Sequence, residues 1–142
     1  MTPPGAVLLD TCALIWLVSG EPVAPAAERA IIAAGLHGGI FVSPVSAWEV
    51  GMLARPRPGR GLTFLPDPRT WFSRVLARPG IRLTPLTAEI AVDVSFLPEP
   101  LHADPADRLL IATARHLGVS IVTRDSKIID YGAAGHVAVL AC

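Results

Sequence analysis

Short apolar runs that end at helix-start signals constrain the fold of this chain more than any other feature. The runs AVLL, IFV and VSIVT each lead, within a residue or two, into an acid or a serine that can cap a helix. Short continuous apolar runs are typical of strands buried on both faces, and strands that alternate with helices indicate parallel pairing. The sequence therefore predicts an α/β fold whose mostly parallel central sheet has helices on both faces.

The expected elements follow from this alternation and from the positions of proline and glycine. Strands are expected at residues 6–9, 40–42, 81–83, 119–123 and 137–140. Helices are expected at about 13–18 and 25–34, from Pro44, from Pro68, at 88–96, from Pro105 to His116, and as a short helix or turn at 127–131. A chain of 142 residues has room for one domain, residues 1–142, and for no second one.

Composition excludes disordered and membrane-spanning classes of protein. Apolar residues make up 51% of the chain, which is too many for disorder, yet no apolar stretch approaches the roughly 20 residues that a spanning helix needs. Asp10 interrupts the N-terminal apolar run, which argues against a signal peptide. Cys12 and Cys142 lack zinc-site spacing and suggest reduced thiols, Cys12 as a buried small hydrophobe. We therefore expect a cytoplasmic protein without a membrane partner.

Four acids stand where an apolar run ends or where a helix is expected: Asp10, Glu49, Asp107 and Asp125. In an α/β fold, strand ends and helix starts meet at one edge of the sheet, so these residues are expected to converge. Four converging carboxylates cannot all stay ionised without a compensating cation. Oxygen ligands suit Mg²⁺ or Mn²⁺, which serve mostly in phosphoryl and phosphodiester chemistry. The sequence therefore predicts a metal-dependent acidic site.

Each acid also has a purely structural interpretation, because Asp at a helix start is a common N-cap. Glu49 with Ser46 matches a capping box, although Pro44 favours an earlier helix start that leaves Glu49 in the helix interior. If all four acids are only caps, the chain is a non-catalytic RNA- or protein-binding module. A phosphohydrolase with Asp10 as its nucleophile is a weaker alternative, because that class usually has a second aspartate where Cys12 stands.

Arginines are concentrated in one part of a chain that is neutral on average. The formal net charge is zero, yet residues 52–87 contain seven arginines and one acid. The loop RPRPGRG carries Arg55, Arg57 and Arg60. Arginine suits phosphate recognition, so this segment is a candidate for contact with a nucleic-acid backbone, with a plain solvated surface as the alternative.

The settings of the four acids resemble those of the PIN-domain family, and within it the VapC-type toxins of bacterial toxin–antitoxin pairs. LLDTCALIWL is similar to the family's opening strand with its first acid, Asp10, and SPVSAWEVGML to the helix with its glutamate, Glu49. HADPADRLLIATAR resembles the family's most recognisable segment and places the third acid at Asp107, while IVTRDSKI supplies the fourth, Asp125. The ordered set covers nearly the whole chain.

The resemblance implies a three-layer α/β/α fold and an endoribonuclease that depends on Mg²⁺ or Mn²⁺ and cleaves RNA with metal-activated water. It also implies a homodimer and a small cognate antitoxin as partner. Thr11 and Thr123 resemble the family's accessory hydroxyl positions. In such an enzyme Arg55, Arg57 and Arg60 are expected to hold the RNA backbone.

Overall fold

The computed structural model describes residues 2–56 and 61–142. Its strands are β1 (Val7–Leu9), β2 (Ile40–Val42), β3 (Ile81–Leu83), β4 (Ser120–Thr123) and β5 (Val139–Ala141). Its helices are α1 (Thr11–Ser19), α2 (Pro25–Gly35), α3 (Pro44–Ala54), α4 (Pro68–Leu76), α5 (Ala88–Asp93), α6 (Pro105–Leu117) and α7 (Ser126–Ala133). Helices alternate with strands along most of the chain, as the sequence predicts.

The five strands form one sheet in the order β3-β2-β1-β4-β5, and all four pairings are parallel. The central strand β1 pairs on one side with β2, through Leu8 and Phe41, and on the other side with β4, through Leu8 and Ile121. The chain thus adds strands first on one side of β1 and then on the other. Parallel sheets bind ligands at the carboxyl ends of the strands where this direction switches, here between β1 and β4.

Two separate apolar cores cover the two faces of the sheet, because successive side chains of a strand point to opposite faces. Leu8 packs into the core formed with α5, α6 and α7, which includes Leu110 and Ile128. Val7 and Leu9 pack into the opposite core, formed with α1 to α4. This arrangement is the three-layer α/β/α fold that was expected.

Helix boundaries lie at capping residues. Asp104 caps α6, and Gly118 ends it in the left-handed region with φ 69°, donating its N–H to the Ala114 carbonyl. The helix predicted over residues 88–96 tightens after Asp93 into a 3₁₀ turn, Val94–Phe96. Short 3₁₀ turns are common at helix ends, where apolar periodicity does not distinguish them from α-helix.

Cys12 differs from the prediction that it is buried, because its residue is exposed and lines the cavity that is described below. Its neighbours Thr11 and Ala13 take the buried positions. No helix in the described ranges combines the length and apolar character needed to cross a membrane.

Candidate functional site

All four predicted acids line one cavity of about 290 Å³ at the carboxyl edge of the sheet. Asp10 follows β1 and Asp125 follows β4, while Glu49 lies on the helix after β2. Asp107 lies in the first turn of α6, the helix that leads into β4. Because that helix runs back antiparallel to the strands, its N-terminus reaches the same edge. The cavity also contains residues outside this set of acids: Thr11, Cys12, Trp16 and Arg124.

Asp10 is the most buried of the four acids, with 7% of its surface exposed. One carboxylate oxygen, Oδ1, accepts a 2.7 Å hydrogen bond from the Ala13 N–H, so Asp10 rather than Thr11 caps α1. Burial raises the pKa of Asp10 above its usual value, and the charges of Asp107 and Asp125 raise it further. A hydrogen bond from the Thr123 side chain and the Ala13 N–H oppose that rise.

Glu49 lies inside α3, as the early helix start predicted. Ser43 is the N-cap, and its Oγ accepts from the Val45 N–H at 3.0 Å, so Ser46 and Glu49 form no capping box. Instead, Thr11 Oγ1 donates to Glu49 Oε1 at 2.5 Å. Since the Thr11 proton is used there, Ser46 Oγ donates to Thr11 Oγ1, 2.9 Å away. This relay joins α1 to α3 and fixes one oxygen of Glu49.

The pKa of Glu49 is also raised, first by burial and then by neighbouring carboxylates. The Thr11 hydrogen bond opposes that rise. At Asp10, Glu49 and Asp107 burial thus raises the pKa most, and neighbouring carboxylates raise it further.

Asp107 makes one hydrogen bond through its backbone and one through its side chain, both with residues that precede it in sequence. Its backbone N–H donates to Oδ1 of Asp104, the N-cap of α6, at 2.9 Å. Its side-chain Oδ2 lies 2.7 Å from Nε2 of His102. Burial raises the pKa of Asp107, and the hydrogen bond with His102 counteracts that rise.

Asp125 caps α7, as its sequence position allowed. Its Oδ1 accepts from the N–H groups of Lys127 and Ile128, at 2.8 and 3.2 Å. Its own N–H donates to Oγ1 of Thr123 at 3.0 Å. Both predicted hydroxyl positions lie against the acids, because Thr11 bonds to Glu49 and Thr123 bonds to Asp10 and to the Asp125 N–H.

The donor set fits a hard divalent cation that keeps part of its water shell. Among residues 2–56 and 61–142, no three His, Cys, Asp or Glu side chains form a group that would hold a metal ion by themselves. Each of the four carboxylates already accepts a hydrogen bond from the protein. Mg²⁺ is usually held by one or two carboxylates together with waters and substrate phosphates, and this cavity offers oxygen ligands for that mode of binding.

Sequence reasoning missed two side chains at the site, one that lines the cavity and one that contacts Asp107. Arg124 is the cation in the cavity lining, and its guanidinium lies 3.9 Å from the ring centroid of Trp16. Its Nε and Nη2 donate to the carbonyls of Cys142 and Pro22. Its position next to Asp125 was the one signal that could have indicated it. The other side chain, His102, stands in the segment HADPAD but was not singled out.

The three predicted RNA-binding arginines follow Glu49 in the sequence. Arg55 is the C-cap residue of α3 and is exposed. Arg57 and Arg60 lie outside the described residues. Because a helix rises about 1.5 Å per residue, Arg55 is displaced from Glu49 by about 9 Å along the axis of α3.

Known proteins resemble this chain in sequence. A family model for the PIN domain matches residues 7–134. Ribonuclease VapC22 from Mycobacterium tuberculosis is 31% identical over 125 residues, which cover 86% of this chain and 88% of that protein. Residues 7–134, which the family model matches, include all four acids.

Solved structures of distant relatives share the fold. The structure of VapBC2 from Rickettsia felis, bound to a DNA fragment from their promoter, matches with a TM-score of 0.62 at 12% identity, over 96% of this chain and 98% of that one. FitAcB from Neisseria gonorrhoeae matches with a TM-score of 0.59 at 20% identity, over 94% and 96% of the two chains. Together with the sequence match over residues 7–134, the shared fold leads to one conclusion: this chain belongs to the PIN-domain family.

Proposed function

We propose that this chain is a VapC-type toxin, an endoribonuclease that cleaves RNA phosphodiester bonds with Mg²⁺ or Mn²⁺. The observation that carries the proposal is the convergence of Asp10, Glu49, Asp107 and Asp125 on one cavity. The similarity to a protein named as a ribonuclease supports RNA as the substrate class. The family as a whole is generally dependent on divalent metals, and the oxygen-only acid set agrees with that property.

The four carboxylates would hold one or two divalent ions. Such a cation lowers the pKa of water and offsets negative charge that develops at phosphorus. Asp107 and Asp10 are the buried or half-buried aspartates and are suited to hold the cation. Glu49 has one oxygen fixed by Thr11, and its raised pKa suits it to orient the attacking water and to take up its proton.

The cations of the chain would hold the RNA. Arg124 lies in the cavity among four acids, where its charge can meet a substrate phosphate. Arg55, at the end of the helix that carries Glu49, would contact a neighbouring phosphate. Arg57 and Arg60 extend the same segment in sequence and stay predicted contacts.

A small cognate antitoxin is the expected protein partner. The similar solved structures are of VapBC2 and FitAcB, and the ribonuclease relative is a VapC protein. A free nuclease of this kind would damage the RNA of its own host, so a bound inhibitor is expected. Homodimerisation stays a prediction from the family resemblance.

One observation favours the non-catalytic alternative: Asp10 and Asp125 do cap helices. Asp107 separates the two functions, because its side chain caps no helix. The substitution Asp107→Asn should leave the fold intact and reduce RNA cleavage by several orders of magnitude. The matched control is Asp130→Asn, which changes an exposed acid of α7 outside the cavity lining.

The measurement is cleavage of a single-stranded RNA with Mg²⁺ or Mn²⁺, repeated in EDTA. The proposed nuclease predicts activity for the wild type and for Asp130→Asn, and loss of activity in EDTA and in Asp107→Asn. Full activity of Asp107→Asn would remove the proposed site. A wild-type chain that neither cleaves RNA nor binds Mn²⁺ would support the non-catalytic module.

A further inference from the structure

His102 is a half-buried histidine that contacts one of the four acids of the candidate site. Its side chain is 15% exposed, and its Nε2 lies 2.7 Å from Oδ2 of Asp107. Its other ring nitrogen, Nδ1, is buried and has no hydrogen-bond partner among the described residues. If Nδ1 carried the proton, a buried N–H would have no acceptor, which costs free energy. The tautomer that carries the proton on Nε2 and donates it to Asp107 is therefore favoured.

Arg108, the residue after Asp107 on α6, fixes the segment that carries His102. Its Nη1 donates to the carbonyls of Leu101 and His102, each at 3.3 Å. Its Nη2 donates to the Val94 carbonyl at 3.2 Å and to Glu99 Oε1 at 3.1 Å. The Arg108 side chain is 14% exposed, so these bonds are largely shielded from water. The backbone on both sides of the 99–102 turn is therefore tied to α6.

Asp107 and Arg108 thus both make hydrogen bonds to the segment that precedes α6. Asp107 lines the cavity, while Arg108 binds the segment whose histidine returns to the Asp107 carboxylate. The oxygen of Asp107 that His102 does not hold is the one available to a cation. Carboxylates that bind a metal commonly depend on such a partner, which fixes their orientation.

We propose that His102 is a positioning residue for Asp107: its Nε2–H holds Oδ2 so that the carboxylate stays oriented toward a divalent cation in the cavity. Arg108 supports this role because it anchors the backbone of His102 to the helix that carries Asp107. The inference depends on the proposed function in one respect: a divalent cation must bind at the four acids.

The test compares His102→Leu, which removes the donor, with His102→Gln, whose side-chain amide places a donor near the position of Nε2. Mn²⁺ affinity is measured by isothermal titration calorimetry on the full chain. His102→Leu should bind Mn²⁺ about 10- to 100-fold more weakly than wild type, the usual cost of losing such a partner. His102→Gln should stay close to wild type. The matched control, His116→Leu, removes an exposed histidine at the far end of the same helix and should change nothing.

Wild-type affinity in His102→Leu would overturn the inference, and so would an equal loss in His102→Gln and His102→Leu. Circular dichroism melting checks that each variant folds. If His102→Leu does not fold, His102→Asn takes its place, because its shorter amide keeps the polarity and does not reach Oδ2. RNA cleavage is measured separately: a wild-type chain that binds Mn²⁺ without cleaving RNA contradicts the proposed nuclease and leaves the His102 comparison valid.

Discussion

Asp10 combines two opposite contributions to stability, and two substitutions separate them. As a buried ionised carboxylate beside Asp107 and Asp125, it destabilises the metal-free fold. As the N-cap of α1, it stabilises the fold through its bond with the Ala13 N–H. Asp10→Asn removes the charge and keeps a capping oxygen, whereas Asp10→Ala removes both.

The sign of the charge contribution follows from the raised pKa. Asp10 binds its proton more tightly in the folded state than in the unfolded state, whose pKa is near 3.8. Proton binding to Asp10 therefore stabilises the fold fully below the unfolded-state pKa. This contribution is lost as the pH rises through the pKa of Asp10 in the folded state. Asp10→Asn removes this pH-dependent cost, so we expect it to melt above the wild type in EDTA.

The size of the cap contribution can be converted into a melting temperature. Replacing a capping Asp or Asn by Ala costs about 1 kcal/mol. At roughly 2.1 cal/mol/K per residue, a chain of 142 residues has an unfolding entropy of about 0.3 kcal/mol/K. Asp10→Ala should therefore melt about 3 °C below Asp10→Asn.

Differential scanning calorimetry at pH 7 measures both effects, first in EDTA and then with Mg²⁺. A cation at 100 times its Kd stabilises the wild type by about 2.7 kcal/mol, and it should stabilise Asp10→Asn much less. Asp130→Asn serves again as the control for an exposed acid. If Asp10→Asn melts below the wild type in EDTA, or if Mg²⁺ stabilises both equally, the charge argument is wrong. If Asp10→Ala melts as high as Asp10→Asn, the cap argument is wrong.

Three other predictions concern charge and function. Because the pKa values of Asp10, Glu49 and Asp107 are all raised, the metal-free chain should lose stability as pH rises above about 4; urea unfolding in EDTA at several pH values measures this, and a flat profile would contradict it. Arg55→Ala should lower the slope of log affinity against log salt by about 0.7 for single-stranded RNA, and an unchanged slope in binding titrations would indicate a plain solvated surface. Expression of the chain alone should arrest growth, and co-expression of the neighbouring small gene should restore it; harmless expression of folded wild-type protein would count against a toxin.

The sequence was sufficient for the sheet because local signals agree there. The strands at 40–42 and 81–83 are found at the predicted bounds, since each is a short run between glycines or prolines and a helix start or turn. The convergence of the four acids was also predictable, because parallel topology alone brings strand ends and helix starts to one edge. Their roles in metal binding and catalysis stay predictions.

The rest of the site depends on contacts that no local pattern encodes. Arg124 reaches the cavity because it stacks on Trp16, far away in sequence, and binds the Pro22 carbonyl. His102 reaches Asp107 because Arg108 holds an irregular segment, whose path periodicity does not predict. Cys12 was placed in the core because an apolar helix was expected to bury it, but the helix presents that position to the cavity.

The strand order has a consequence for the time at which the site first exists. Asp10 and Glu49 belong to the half of the sheet formed by β1 and β2, whereas Asp107 and Asp125 come with β4, on the other side of β1. During translation, α4, β3 and α5 are synthesised after the first pair of carboxylates and before the second pair. A nascent chain therefore carries two of the four carboxylates, and a central strand with one free edge, until α6 and β4 have emerged. The proposed nuclease is thus inactive during most of its own translation. In this interval an antitoxin that is already present can bind the nascent chain.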